Sequence, residues 1–395
     1  MIAIKGGTVV TVTGGIIEHG IVLVEGAKIA AVGGADLVIP PGTEIIDAGG
    51  KWVTPGFIDA HTHISTAGDP KTLPNFPGQF DINEISDPIT PHLRAIDALN
   101  PHDIAVINAR KGGFTTAYTL PGSANVIGGT GIAFKTKTGA SVYDIVIAGT
   151  EQMKMALGEN PKRLYGSDKK KPVTRMGIAS LLRESLYNAK VYSEDLKKAA
   201  LNPEKAPKPD FKLDALLPVI RNEIICRIHA HRSDDIVTAI RVAKEFGLKK
   251  IAVEHCTEGY KVAALLKENN ITAVLGPMPS NFGKMEVWES RLSTPGVLEK
   301  AGVDICFTQD AASGTRYLPA TIGYFIARGL SEAGAFEGIT IRPARLLGIA
   351  DRVGSLEAGK DADISIFSGF PFSSLSLCEK TIVDGVVYNN LDDPY

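Results

Sequence analysis

The sequence predicts an α/β fold, a parallel barrel of eight βα units with a β layer drawn from both chain ends, and three observations predict it. Apolar runs of four to eight residues alternate with helical segments of ten or more through the middle of the chain, as in a parallel sheet. The first fifty and last forty residues have another texture, short β-type runs between glycine turns. With 395 residues, 44% of them hydrophobic and 22% charged, the chain has the size and composition of one folded barrel with an appendage.

Taken in order, TVVTVT, GIVLVEG, KIAAVG and EIIDAGG read as small antiparallel strands, with no helix among them. Eight central strands are placed at 52–61, 114–120, 144–149, 153–158, 224–231, 250–256, 271–276 and 304–310. Eight such units suit a closed (β/α)8 barrel, with a doubly wound open sheet as the alternative. Ser233 is placed as the cap of a helix with Asp234 and Asp235 in its first turn and Ile236, Ile240, Ala243 and Phe246 on its buried face. Residues 68–100, rich in Pro and Gly and carrying DINEISDP, are long enough for a lid, and 191–212 read as a charged helix end entering a proline-broken excursion. The glycines at 112–113 and 122–129 lack both the Lys-Ser/Thr ending of a phosphate loop and GxGxxG spacing, so they read as strand-end loops lining a pocket. RVGSLEAGKDADISIFSG and TIVDGVVYNN return to strands and turns, and the two chain ends are expected to share one β layer.

The 42 Lys and Arg nearly balance 44 Asp and Glu, for a net charge of −2, so whole-chain attraction to nucleic acid or an anionic membrane is not expected. The opening MIAIKGGTVV has no apolar signal core, and no run reaches the roughly 18 apolar residues of a membrane span, so a cytoplasmic location is expected. Cys226, Cys256, Cys306 and Cys378 form no CxxC pair and read as reduced thiols packed in the core.

Histidine carries the chemistry. Of eight histidines, five fall at the ends of apolar runs: His61 and His63 in IDAHTH, His229 and His231 in RIHAH, and His255 in VEHC. Side chains two apart on a strand share a face, so each pair offers two imidazoles to one side, as does Asp59 beside the first. An HxH pair alone fits a bland hydrogen-bonded role equally well. Three such strand ends, together with Asp310 closing DICFTQD, point to a metal site with a hard oxygen ligand and proton acceptor at the face where barrels build active sites.

VTPGFIDAHTH, RIHAH, VEH and the final Asp310 resemble the amidohydrolase superfamily, metal-dependent hydrolases on a (β/α)8 barrel. RVGSLEAGKDADISIF (352–367) resembles the segment that closes the small β-sandwich of that superfamily, and TIRPARLLGI resembles the helix before it. The HAH and EH segments are similar to the branch holding imidazolonepropionase-like proteins and metal-dependent dipeptidases. The resemblance implies a β-sandwich made of residues 1–54 and 355–395 around a hydrolase barrel of 55–354. It implies His61, His63, His229, His255 and Asp310 as metal ligands and Asp310 also as general base; His231, which shares a face with His229 and could itself be a ligand, is read as a substrate contact or a support for the ligands, with a structural role as the alternative. On the fourth strand it implies a bridging ligand, either carboxylated Lys154 or Glu159, for one or two divalent ions, zinc foremost. One departure is Ala311, where relatives often carry histidine.

The expected activity is hydrolysis of an amide, cyclic amide, N-acyl or dipeptide C–N bond in a small molecule, with Arg232 or Arg316 holding an anionic substrate group. A ring deaminase on the same scaffold and a non-catalytic assembly protein are the alternatives, and a homo-oligomer is compatible with either reading.

Overall fold

Residues 52–61 read as one strand in the sequence and fall in two strands in the molecule. In the structure, a computed structural model describing residues 1–67, 81–139, 141–168, 170–278, 284–310 and 314–391, Gly56 divides the run between two sheets. The Gly56 N–H bonds Asp363 O on one side and Phe57 N–H bonds Gly113 O on the other. A Cβ on Gly56 would stand 2.1 Å from the Thr115 side chain, so only glycine fits the crossing.

The first sheet takes β1 (Ile2–Val10), β2 (Ile16–Glu25), β3 (Lys28–Gly33), β4 (Glu44–Asp47) and β5 (Trp52–Pro55) from the start of the chain. The second takes β6 (Phe57–Thr62), β7 (Phe114–Thr119), β8 (Ile127–Lys135), β9 (Val146–Ala156), β10 (Cys226–Ala230), β11 (Ile251–His255), β12 (Thr272–Leu275) and β13 (Ile305–Phe307). The chain then returns to the first sheet with β14 (Ile364–Phe367), β15 (Cys378–Val383) and β16 (Val386–Asn389). The order of the first sheet is β16-β15-β14-β5-β1-β2-β3, with β4 also pairing β1, so both chain ends are hydrogen-bonded into one layer. Its own core includes Ile4, Val22, Val53, Ile364 and Ile382.

The second sheet runs β13 through β6 in reverse chain order and is nearly closed: the Thr308 hydroxyl donates to His61 O across the gap. Eight strands are present, as expected, but not the same eight. The runs at 144–149 and 153–158 belong to one long strand, β9, because Gly149 and Glu151 interrupt the apolar texture without breaking the backbone. The eighth strand is β8, whose first residues fall in the 122–129 stretch that the sequence assigns to a pocket loop, and it runs antiparallel to both β7 and β9. Its glycines hid it. They are there because residues 88–94 lie across the strand: Thr130 N–H bonds Leu93 O, and a Cβ on Gly129 would stand 2.3 Å from that oxygen. The parallel (β/α)8 expectation is therefore corrected to an eight-stranded barrel sheet with one reversed strand.

The helix after β10 spans Ser233–Phe246, one residue earlier than expected. Arg232 occupies the cap position, while Ser233 N–H and Oγ both bond Glu258. Ile236, Ile240 and Ala243 are buried as anticipated and Phe246 only partly. Residues 175–199 form a long helix that ends in the proline-broken stretch. Of the expected lid, 68–80 lies outside the described residues; 81–98 packs on β8. All four cysteines are buried and free, their thiols pushed up to about 12 by burial. Among the described residues no helix is long and apolar enough to cross a membrane.

The two sheets are joined by a buried charge cluster. Lys135, at the end of β8, places its ammonium 2.7 Å from Asp363, 3.1 Å from Asp361 and 3.1 Å from Asp384. Lys28, Arg352 and Lys137 complete the neutralisation from outside. Replacing Lys135 with Met leaves buried carboxylates facing one another, and losing one partner of a buried ion pair costs about 3–5 kcal/mol. A matching fall in stability is expected from urea unfolding; an unchanged midpoint would show that the three outer cations suffice.

Candidate metal centre

Strand ends β6, β10 and β11 bring five imidazoles together. On β10, alternation places Arg227, His229 and, just past the strand, His231 on the same side. The His229 and His231 rings meet edge to face at 4.7 Å, and His255 lies 4.5 Å from His229, 4.7 Å from His231 and 5.1 Å from His61. In regular extended backbone, Glu254 and His255 would face opposite ways. His255 instead has φ 66°, in the left-handed region, so both side chains serve the cluster. Asp310 has φ 48° at the end of its strand segment. Sparsely populated backbone of this kind gathers at functional sites, where the surroundings hold it in place.

Each histidine is anchored through Nδ1. His61 Nδ1 lies 2.5 Å from Glu254 Oε2, His63 Nδ1 2.9 Å from Leu120 O, and His229 Nδ1 2.8 Å from Ser123 Oγ. His231 Nδ1 lies 2.7 Å from Thr257 Oγ1 and His255 Nδ1 2.6 Å from Gly276 O. That last contact depends on a glycine, since a Cβ at position 276 (φ 140°) would collide with Thr308 O at 1.8 Å. Anchoring of this kind fixes tautomer and ring orientation, as it does in metal-ligating histidines.

Asp310 Oδ1 sits 3.3 Å from His61 Nε2 and 3.2 Å from His63 Nε2, and its Oδ2 lies 3.9 Å from His255 Nδ1. Lys154 Nζ is fully buried 3.4 Å from His61 Nε2. Burial lowers its amine to about 8, partly offset by Glu254 and Asp310. Burial alone would raise Asp310, yet His255, His61 and His63 hold its carboxyl well below the usual range. Burial, followed by mutual repulsion, holds His229 and His255 well below the usual imidazole value; His231, also by burial, falls to about 4. The rings are therefore neutral, the form that binds metal.

Behind His61 stands a pair that sequence reading passed over. Arg227, buried within the barrel, donates to Glu254 through Nε, to Gln152 Oε1 at 3.0 Å and to Ala60 O at 2.7 Å. Glu254 accepts from both Arg227 and His61. A visible signal existed, since a charged residue in the middle of an apolar strand run, as in CRIHAH or AVEHC, demands a buried partner. Glu286, from the segment after β12, was also missed, and nothing in its sequence setting marked it. Its Oε1 lies 3.6 Å from His229 Nε2 and 3.8 Å from His231 Nε2.

The other expected residues are placed elsewhere. Glu159 begins a helix and binds Glu286 instead, its N–H to Glu286 Oε2 at 2.8 Å and its Oε2 accepting from Glu286 N–H at 3.3 Å. Arg232 is paired with Asp234 at the surface, and Arg316 with Tyr317 and Asn108. A register shift between Asp59 and Thr62 breaks the simple alternation on β6, and Asp59 bonds Thr315 at 2.9 Å; burial raises its carboxyl to about 6. Ala311 lies outside the described residues.

The residues fit a divalent ion. His61, His255 and Asp310 offer ligand atoms within 4.8 Å of one another, as do His229, His231 and His255. The Nε2 atoms of His229 and His231 and Oε1 of Glu286 are buried with no hydrogen-bond partner, which a lone-pair-accepting cation would relieve. Imidazole and carboxylate donors are the set that zinc-like ions take.

Known proteins point the same way. A crystal structure of an amidohydrolase from Thermotoga maritima MSB8 superposes with a TM-score of 0.92 at 37% identity, covering 98% of this chain and 100% of that one. Imidazolonepropionase of Maricaulis maris is 26% identical, over 89% of this chain and 88% of its own length. Amidohydrolase tasK of Hapsidospora irregularis is 28% identical over 90% of this chain, which spans only 38% of that longer relative. The amidohydrolase family model matches residues 52–390. The chain thus belongs to the amidohydrolase family and is a hydrolase of C–N bonds.

Proposed function

We propose that this chain hydrolyses an amide-type C–N bond of a small molecule, a cyclic amide, N-acyl amino acid or dipeptide, with Asp310 as general base. The observation that carries the reading is the Asp310 carboxylate held between His61 Nε2 and His63 Nε2, beside Lys154 and His255. His61, His63, Lys154, His229, His255 and Asp310 would hold the divalent ion, zinc by donor type. When bound, that ion supplies Lewis-acid polarisation of a carbonyl and lowers the pKa of a coordinated water toward about 7.

The chain's own residues do the rest. Asp310 is ionised at neutral pH, so one of its oxygens can accept a proton from the attacking water and return it to the departing nitrogen. His61 is kept with its Nε2 lone pair facing the site, because Glu254 accepts from Nδ1. Lys154 is a buried ammonium beside the histidine cluster; with its amine lowered to about 8, a neutral fraction is open to carbon dioxide, the nitrogen bonding the carbon and releasing one proton, so that the buried cation becomes an anionic carbamate able to act as a ligand. Protein purified with 13C-bicarbonate should show a carbamate carbonyl resonance that Lys154→Met abolishes; identical spectra would leave Lys154 an amine.

Elemental analysis followed by a screen of N-acyl amino acids, dipeptides, cyclic amides and aminated rings tests the assignment, with release of ammonia from a ring pointing to deamination instead. On the substrate that screen yields, Asp310→Asn should keep its metal and lose about 10²- to 10⁴-fold in kcat, the usual cost of a missing general base. Full activity in that variant would leave Asp310 a structural residue. Glu254→Gln keeps the size of the side chain but removes the charge that polarises His61. Its metal affinity should drop about 10- to 100-fold, as for other groups that orient a ligand, read by competition with a chromogenic chelator. Unaltered affinity would confine the Arg227–Glu254 pair to packing.

A further inference from the structure

We propose that Glu286 and His231 join His229 as a distinct metal-ligating position, on the far side of His255 from His61, His63 and Asp310. The inference rests on the metal-dependent reading above and assigns ligand roles to two residues which that reading does not use. Three acceptor atoms define it, His229 Nε2, His231 Nε2 and Glu286 Oε1, all buried and none with a hydrogen-bond partner. They converge, with the carboxylate oxygen 3.6 Å from one ring nitrogen and 3.8 Å from the other. Donor atoms about 2.0–2.1 Å from one tetrahedral ion stand about 3.3–3.4 Å apart, so the carboxylate oxygen already lies within about half an ångström of that spacing from each ring nitrogen.

What makes the arrangement a built site is that the opposite end of each group is already occupied. Ser123 and Thr257 hold the two Nδ1 atoms, which leaves each Nε2 as the atom aimed inward. Glu286 Oε2 takes the Glu159 N–H at 2.8 Å and the Arg175 guanidinium at 3.5 Å, which leaves Oε1 free. Arg175 is itself fixed by Asp235 at 2.9 Å. Gly158, with φ 84°, leaves room for this clamp, for a Cβ there would stand 2.7 Å from Glu286 Oε2. Two imidazole lone pairs and a carboxylate oxygen pointed at one another repel unless a positive charge lies between them. Two histidines and one carboxylate with a further position open are also the donor set of catalytic zinc sites. His255, whose ring lies within 5.1 Å of His61 and 4.5 Å of His229, stands between the two groups.

The test uses the full chain loaded with cobalt(II) and needs no substrate, so failure of the hydrolase assignment cannot be mistaken for failure of this one. In a His61→Asn background, which weakens the first group, one cobalt equivalent should remain with its d–d absorption. Adding Glu286→Gln should weaken its binding by about 10-fold or more and alter that absorption. His231→Asn is the second variant, to be read the same way should Glu286→Gln fail to fold by circular dichroism. Cobalt affinity and spectrum unchanged by both substitutions would overturn the proposal.

Discussion

The Arg227–Glu254 ion pair inside the barrel is the contact on which the rest of the site is hung. Neither side chain is exposed, and an arginine cannot shed its charge there, so the barrel must carry a carboxylate beside it. Glu254 is held well below the usual carboxylate range, its desolvation outweighed by Arg227 and then His61. A permanently ionised Glu254 makes His61 donate through Nδ1 and leaves Nε2 to face Lys154 and Asp310. The same guanidinium holds Ala60 O and Gln152, so β6, β9, β10 and β11 are set in register by one cation. Buried pairs of this kind add little net stability over an apolar core, because desolvation consumes the Coulomb gain. Their value here is orientation.

That constraint explains which parts of the molecule were legible from sequence. Strand-end histidines were, because a scarce residue repeated at the ends of apolar runs has few bland explanations, and the structure brings His61, His63, His229, His231 and His255 within one cluster. The pairing of chain ends was also readable from their turn-rich texture, and β5 with β14 carries it. Strand β8 was not, since glycines required by an overlying segment erase the hydrophobic period that marks a strand. Neither was Glu286, whose partners His229, His231 and Arg175 lie at least 55 residues away; sequence spacing says nothing about side chains that meet only after the barrel closes. Glu159 attracted attention for its position after β9, but a helix start turns it toward Glu286. Alternation sufficed on β10, and on β6 it brought His61 and His63 to one side, while Asp59 turns to Thr315 instead.

Left-handed backbone recurs at the strand ends that carry the site. His255, Cys256 and Asp310 all adopt left-handed φ, and Gly276 and Gly158 occupy spots that a Cβ would fill. Each departure from regular strand geometry falls at the end of a barrel strand, where the ladder no longer dictates direction and side chains can be turned inward. The surrounding network compensates: the Thr308 hydroxyl ties β13 to His61 O, and Asp310 N–H bonds Thr308 Oγ1 at 2.8 Å. A site assembled from strand ends is rigid in its roots and adjustable in its tips, which is how one barrel can serve many substrates.

Of the carboxylates against the cluster, Glu254 is taken up by Arg227 and His61, while Asp310 and Glu286 lie in surroundings that suit different chemistry. Asp310 has both oxygens near imidazole nitrogens and a side chain 24% exposed, so a proton taken up there can be passed on. Glu286 has one oxygen locked by the Glu159 N–H and Arg175, and the other enclosed between His229 and His231 with no solvent beside it. A proton delivered to Glu286 would have to displace the guanidinium or remain in a closed pocket, and neither suits an acid–base cycle. Holding a cation requires neither. Five imidazoles between these two carboxylates then form one continuous donor surface, with His255 at its centre and, in the function proposed above, acid–base work at the Asp310 edge.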